Sequence, residues 1–282
     1  MNHVDSEKHS SKGKLSLGLL LLFTMTVFFV GVTEFMLSSM FPPIAKAFNT
    51  SLDKVSFLIS AYALSYALAA PVLGYFSDRI NKVKLLLLAL ILFSMDGIAI
   101  AFSPTIEVAI FLRILGGVAS AVIIPTVFSL VSDLVPNKNQ ASAMGGVMLG
   151  MTLGIALGPV LAGILNDFIH WRAPFIFCSI GCFIIFFIGN FSLSKYKNKN
   201  YNTISLKNRS LKKDINWSVF RPLLAKGAWN GAGVSAFILS GEVLHQRYGF
   251  PPSITGLSVS FFGIGLGLGN ISAGLMRKLI AK

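Results

Sequence analysis

The chain has 282 residues, of which 54% are hydrophobic and 12% are charged, and its mean hydropathy is +0.72. A soluble domain needs about 25% charged residues to cover its surface, so this composition excludes a soluble globule and indicates a protein that resides in lipid. The net charge of +13 is compatible with nucleic-acid binding as well, and the positions of the basic residues must decide that question.

Long apolar runs follow one another along the chain with short polar breaks. A helix needs about 20 such residues to cross a ~30 Å hydrocarbon layer. The first run follows lysines, as a secretory signal would, but it is too long for a signal core and lacks a small-x-small cleavage site, so we interpret it as a retained span. We predict an all-α polytopic membrane bundle with eight spans, at residues 15–40, 55–76, 83–102, 107–132, 141–165, 174–194, 222–245 and 253–276.

The basic residues lie mainly on one side of this topology. Nineteen are in the N-terminal tail and alternate loops, four are in the other loops, and Arg113 is inside a span. Cytoplasmic loops have the excess of Lys and Arg, so the N-terminus, the loop around Arg209 and Lys282 are predicted to be cytoplasmic at the cell membrane. Because this bias accounts for the net charge, and no aromatic residues alternate with the lysines, we expect no nucleic-acid partner.

The sequence contains no pattern typical of a cofactor site, a metal site or a catalytic set. Cys178 and Cys182 lie four residues apart in span six without a second pair, and the four histidines are scattered. Small packing residues are the simpler interpretation of the two cysteines. We therefore expect no cofactor, no metal and no enzymatic activity.

A hydrophilic stretch at residues 195–221 divides the spans into two groups. It is rich in Lys, Asn and Ser, and part of it has the spacing of a basic amphipathic helix at the membrane surface. We predict a six-helix N-terminal half at residues 1–194, a cytoplasmic basic linker at 195–221, and the first two helices of a second half at 222–282.

A weak internal repeat supports this division. The segment that begins at Gly274 falls 200 residues after the segment that begins at Gly74 and matches it at the Gly, an Ile and a final Lys, and Ser260 falls on Ser60 in the same frame. A parallel repeat of six spans has this form. In this register the counterparts of spans three to six would follow Lys282, so we expect the function to require missing second-half helices, from a longer form or a separate chain.

The string from Gly74 to Lys82, Gly-Tyr-Phe-Ser-Asp-Arg-Ile-Asn-Lys, lies between spans two and three. It resembles the G-x-x-x-D-R-x-G-R/K loop of the major facilitator superfamily, within which the chain is most similar to twelve-span drug:proton antiporters and sugar exporters. Asn81 replaces the second Gly and tolerates a positive φ better than most residues. The resemblance implies a conformational gate formed by Gly74, Asp78, Arg79 and Lys82, whereas a generic basic loop is the alternative.

Span five has glycines at every fourth position. Gly154 to Gly163 is similar to the antiporter-associated G-x-x-x-G-P-x-x-G-G motif, with Ala162 in place of one Gly. Small residues at this spacing let a neighbouring helix approach closely, and Pro159 can bend the helix. The resemblance implies a moving contact with the second half, and static packing is the alternative. The motif residues are Gly150, Gly154, Gly158, Pro159 and Gly163, and Gly146 extends the stripe.

Three shorter strings add to the resemblance. Residues 113–117, Arg-Ile-Leu-Gly-Gly, resemble the family's R-x-x-Q-G, with Gly116 where Gln is usual. Residues 171–175, Trp-Arg-Ala-Pro-Phe, resemble W-R-x-P-F, and residues 33–35 match the T-E-F of sugar and drug exporters.

Four charged residues inside spans are the candidate site, because each is costly in lipid unless it is paired or wet. They are Glu34, Asp96, Arg113 and Glu242. The resemblance implies that spans one, four and seven line a central cavity, which would place Glu34, Arg113 and Glu242 around one path for protons or substrate. A structural pair is the alternative for Glu34. Asp96 belongs to a peripheral span, where a structural hydrogen bond to small neighbours is expected.

The predicted function is export of a drug-like or sugar-like small molecule across the cytoplasmic membrane by proton antiport with alternating access. The expected partners are the lipid bilayer, the small molecule and protons. Uptake or facilitated passage is the alternative within transport. The alternative outside it is a non-transporting truncated membrane protein, or a half that needs a second chain.

Overall fold

The computed structural model describes residues 16–77, 80–196 and 217–280, and all the regular structure within these ranges is helical. The predicted all-α polytopic bundle is confirmed. The α-helices are α1 (Leu17–Phe35), α2 (Phe41–Ala47), α3 (Leu52–Ser77), α4 (Lys82–Ala101), α5 (Ile106–Leu134), α6 (Asn137–Phe168), α7 (Ala173–Ser192), α8 (Trp217–Tyr248) and α9 (Pro252–Ile280).

Eight of these helices are long and correspond in order to the eight predicted spans. Six helices within the described ranges have both the length and the apolar composition to cross a membrane, namely α1 with the turn that follows it, and α3 to α7. Helices α8 and α9 are 32 and 29 residues long. Leucine and phenylalanine side chains such as Leu92, Leu149 and Phe187 point outwards, which suits contact with lipid tails.

The span predicted at 15–40 corresponds to α1 and the turn that follows it. Helix α1 ends at Phe35, a 3₁₀ turn follows at Met36–Ser39, and α2 begins at Phe41 with prolines in its first turn. Proline has no backbone N–H to donate, so it fits the first turn of a helix better than its interior. Pro42 and Pro43 therefore suit the start of α2, just after the predicted end of the span.

The first seven helices form a bundle around two apolar cores. Helix α1 packs on α6, α3 packs on α5, and α4 packs on both α5 and α7. One core is centred on residues such as Phe23, Val27 and Leu90, and the other on residues such as Met36 and Phe175. The polar cluster described below lies among the helices that these cores hold together.

The last two helices contact the bundle mainly through α6. Helix α9 packs along α6, while α8 contacts α9 and the Met36–Ser39 turn. Helix α9 begins at Pro252, 200 residues after α3 begins at Leu52, which agrees with the register of the repeat. Helix α8 begins at Trp217, inside the predicted linker. The predicted start at 222 was too late, because the first turns of α8 are more polar than the apolar run on which it was based. The rest of the linker, residues 197–216, lies outside the described residues, as does Lys282.

Candidate functional site

Arg113 is the charged centre of the bundle. It lies on α5 with 1% of its surface exposed, and its Nη2 donates to the backbone oxygen of Thr33 at 3.3 Å. Its guanidinium also lies 4.7 Å from the centre of the Tyr62 ring, within the range of a cation–π interaction. One side chain of α5 thus contacts α1 and α3 together.

Glu34 reaches the same cluster through Tyr62. The Tyr62 hydroxyl donates to Glu34 Oε1 at 3.3 Å, and Tyr62 stacks against Tyr66 one helical turn away. The structure therefore brings Glu34 and Arg113 together as predicted, with a tyrosine between them. Tyr62 is a member of this cluster that the motifs do not predict, and its signal in the sequence is the pair of tyrosines at i and i+4 in the otherwise apolar span two.

Asp96 belongs to this cluster as well. It is buried on α4 and lines a small cavity with about 10 Å³ of room for water. The other lining residues are Thr33, Met36, Phe93, Gly97, Ile100, Arg113, Phe175, Cys178 and Ser179. Asp96 faces inwards from the span that was expected to be peripheral, because α4 packs against α5 on the side where Gly116 leaves space for its carboxylate.

Glu242 is separate from the other three charged residues. It is buried on α8, and neither carboxylate oxygen has a hydrogen-bond partner among the described residues. The adjacent Gly241 lies against the backbone oxygen of Ser38, so Glu242 is near the Met36–Ser39 turn. Within the described ranges, the contacts connect Glu242 to neither Glu34 nor Arg113.

The glycine stripe of α6 faces α1. A Cβ on Gly154 would lie 2.6 Å from the backbone oxygen of Phe28 and 2.8 Å from the backbone nitrogen of Val32, and Gly150 and Gly158 meet the same helix. The expectation that these three glycines contact the second half is therefore wrong. Four-residue spacing defines a face of a helix, but it does not identify the neighbour.

The contact with α9 lies at the other end of the motif. Gly163 lies against the backbone of Pro252, and Gly256 of α9 lies against the backbone oxygen of Pro159. At the end of the same interface, the Ser253 backbone N–H donates to Asp167 Oδ2 at 2.9 Å. Pro159 and Gly163 are thus the motif residues that contact α9.

The predicted gate loop is described in part. Lys82 Nζ lies 2.6 Å from Asp133 Oδ2, an ion pair that joins the start of α4 to the end of α5. Asn81 caps α4, because its side chain accepts from the backbone N–H groups of Val83 and Lys84 at 3.1 Å. Gly74 lies in the last turns of α3, and Asp78 and Arg79 lie outside the described residues.

Comparison with known proteins identifies the family. The family model described as Major Facilitator Superfamily matches residues 23–282. The chain belongs to the major facilitator superfamily. It is therefore a membrane protein of a transporter family, as the resemblance of its motifs implied.

Two relatives show how far the similarity extends. Multidrug resistance protein 2 of Bacillus subtilis is 28% identical over 172 residues, which cover 61% of this chain and 42% of that protein. Quinolone resistance protein NorA of Staphylococcus aureus is 25% identical over 228 residues, covering 81% of this chain and 57% of that protein. The chain spans about half the length of these relatives.

A solved structure has the same fold. The crystal structure of a bacterial homolog to the human lysosomal transporter Spinster, in an inward-facing and occupied conformation, superposes with a TM-score of 0.72 at 18% identity. The match covers 93% of this chain and 60% of that one. At this identity the likeness shows the fold alone.

Proposed function

We propose that this chain forms part of a secondary transporter that exports a small molecule across the cell membrane in exchange for protons. The observation that best supports this proposal is the cluster of half-buried Glu34 with buried Tyr62 and Arg113, in which a carboxyl and a guanidinium share one tyrosine. Ionisable groups inside membrane spans are costly and typically mark ion or substrate paths.

The chemistry of this set suits proton exchange. Glu34 is half-buried and accepts one hydrogen bond, at 3.3 Å, from Tyr62, so a change in its protonation directly alters the contact between α1 and α3. Arg113 donates to the backbone oxygen of Thr33, the residue before Glu34. Protonation of Glu34 therefore changes the balance of charge around Arg113, and alternating access provides the movement that would use this change.

The proposed substrate is a drug-like, lipophilic small molecule. The relatives described above are named for resistance to multiple drugs and to quinolones, and these names support the proposal.

We further propose that the N-terminus and the loop around Arg209 face the cytoplasm, which rests on the nineteen-to-four distribution of basic residues. A cysteine placed at position 209 should react with a membrane-impermeant maleimide in inverted vesicles and not in intact cells. Labelling from outside intact cells would contradict the whole topology.

Alternating access also requires two bodies around a shared cavity, and α8 and α9 are the described part of the second. We therefore propose that transport requires additional second-half helices, either continuous with this chain or on another polypeptide. Vesicles containing residues 1–282 alone should show no proton-driven export of a panel of labelled lipophilic compounds, whereas vesicles that also contain the additional helices should show it.

The decisive variant is Glu34→Gln in the complete assembly. It keeps the shape and removes the titratable carboxyl, so proton-driven export should fall at least tenfold while the amount of inserted protein stays near that of the wild type. Undiminished export under a pH gradient would show that Glu34 is structural. A matched control is Glu107→Gln, since Glu107 is an exposed carboxylate at the start of α5 that pairs with Lys54.

A further inference from the structure

Asp96 and Arg113 are two buried groups of opposite charge that line one cavity. Asp96 is 8% exposed, and its Oδ1 has no hydrogen-bond partner among the described residues. Arg113 likewise has two nitrogens, Nε and Nη1, without a partner in those ranges. Each group is costly to bury as an ion unless a charge of opposite sign compensates it.

Gly116 determines where the Asp96 carboxylate lies. A Cβ at position 116 would collide with Asp96 Oδ2, so a larger residue there would displace the carboxylate. Gly116 is three residues after Arg113 on α5, and residues at this spacing lie on the same helix face. The carboxylate of α4 therefore occupies the space that a side chain of α5 would fill, beside Arg113.

We propose that Asp96 is a second counter-ion of Arg113, which compensates the guanidinium when Glu34 takes up a proton, and that Gly116 provides the space for it. This inference rests on the proposed function, because it assumes that Glu34 exchanges protons. Without Asp96, protonation of Glu34 would leave the buried guanidinium without a compensating charge, which is unfavourable in a low-dielectric interior. Asp96 removes that obstacle to proton exchange at Glu34.

The other titratable groups near this pair do not replace Asp96. Tyr62 of α3 and Cys178 of α7 lie near Arg113, and Tyr66 of α3 lies near Glu34. Phenols and thiols are ordinarily neutral at pH 7. Glu34 and Asp96 are thus the carboxylates that face Arg113 from α1 and α4.

The test measures protonation of Glu34 directly, in the purified 282-residue chain in lipid. Infrared difference spectra over a pH series record the band of protonated carboxyl groups, and Glu34→Gln identifies the part that belongs to Glu34. Asp96→Asn should move the midpoint of that part to lower pH by about one unit or more, because Arg113 would then have Glu34 alone as its counter-ion. Ser94→Ala, which removes a buried hydrogen bond from the same helix without removing charge, should leave the midpoint unchanged.

A second variant covers the case in which Asp96→Asn does not fold, and it also tests Gly116. The exchange Asp96→Gly with Gly116→Asp returns one carboxylate to the same space from the opposite helix. It should restore the midpoint to within about 0.3 pH unit of the wild type, whereas a role of Asp96 limited to packing on α4 predicts no restoration. Failure of the exchanged variant to restore it would overturn the inference.

The outcomes separate this inference from the proposed function. If Asp96→Asn leaves the Glu34 midpoint unchanged while Glu34→Gln abolishes export, Asp96 is not a counter-ion and the proposed function stands. If Glu34→Gln exports normally, the proposed function fails, whatever the spectra show.

Discussion

Helix α6 has two faces closed by glycine, and they differ in what else holds the helix that each face contacts. On the face towards α1, Gly150, Gly154 and Gly158 of α6 approach the α1 backbone, and Gly31 of α1 lies against Gly154. On the face towards α9, Gly163 meets Pro252 and Gly263 meets Ala156. The first face is within the bundle of seven helices, and the second joins that bundle to the last two helices.

The difference lies in what else holds each partner. Helix α1 also packs on α7 and α5, and its Thr24 hydroxyl lies 3.4 Å from the Gly146 backbone oxygen of α6. Helix α9 is held by α6, by α8 and by the Met36–Ser39 turn. We therefore expect the α1 face to be required for folding and the α9 face to allow movement.

Gly154→Val should cause the largest loss of folded protein. The new Cβ would lie within 3 Å of backbone atoms of Phe28, Gly31 and Val32, and backbone cannot move aside as a flexible side chain does. Overpacking of this kind costs about 1–3 kcal/mol or more. The fraction of monodisperse protein after heating in mild detergent should fall several-fold.

The control is Gly145→Val on the same helix, where a Cβ would have no atom within 4 Å. This variant should behave as the wild type. If Gly154→Val is as stable as Gly145→Val, the α1 face is not a fixed contact.

A covalent link across each face should distinguish a fixed contact from a moving one. Asp167→Cys with Ser253→Cys would join α6 to α9, where the two residues are hydrogen-bonded at 2.9 Å. In the complete assembly, its oxidation should stop export, and a reductant should restore it, because the two halves could no longer separate at that end.

The matched pair is Leu20→Cys with Gly146→Cys, which would join α6 to α1, where a Cβ at 146 lies 3.7 Å from a Leu20 methyl group. Both pairs require Cys178→Ala and Cys182→Ala as the background. Oxidation of the α1 pair should leave export within about twofold of the reduced protein. Equal inhibition by both links would remove the contrast between the faces.

The contrast also shows what the sequence can predict. Hydropathy places the spans, since a length of about 20 apolar residues is a property of each segment by itself. The glycine spacing identifies a small-residue face on α6, but whether Gly154 meets α1 or α9 depends on how whole helices pack. The family resemblance predicted that Glu34 and Arg113 lie together. The tyrosine between them was not predicted, because its position depends on how α3 packs.

Asp96 is the clearest case of a position that the sequence could not assign. Its place within span three was predicted, but its neighbour is set by the missing side chain at Gly116, on another helix. At Gly116, where the family pattern has Gln, the space of the missing side chain is thus filled by Asp96 of α4. Such a compensation can be recognised only from the packing of the two helices.

The smallest expected effect concerns Ser39, which contacts α6 where its two faces meet. The Ser39 hydroxyl donates to the backbone oxygen of Pro159 at 2.9 Å, and Gly256 of α9 approaches the same oxygen. Ser39→Ala removes this buried hydrogen bond between the Met36–Ser39 turn and α6, which costs about 1 kcal/mol. We expect a fall of a few degrees in the thermal midpoint and faster formation of the 167–253 disulfide, because α6 is less firmly held on the α1 side.

Ser38→Ala is the matched control, since the Ser38 hydroxyl bonds only within its own turn, to Phe35. If Ser38→Ala lowers the thermal midpoint as much as Ser39→Ala does, the Ser39 bond to α6 contributes nothing beyond local structure.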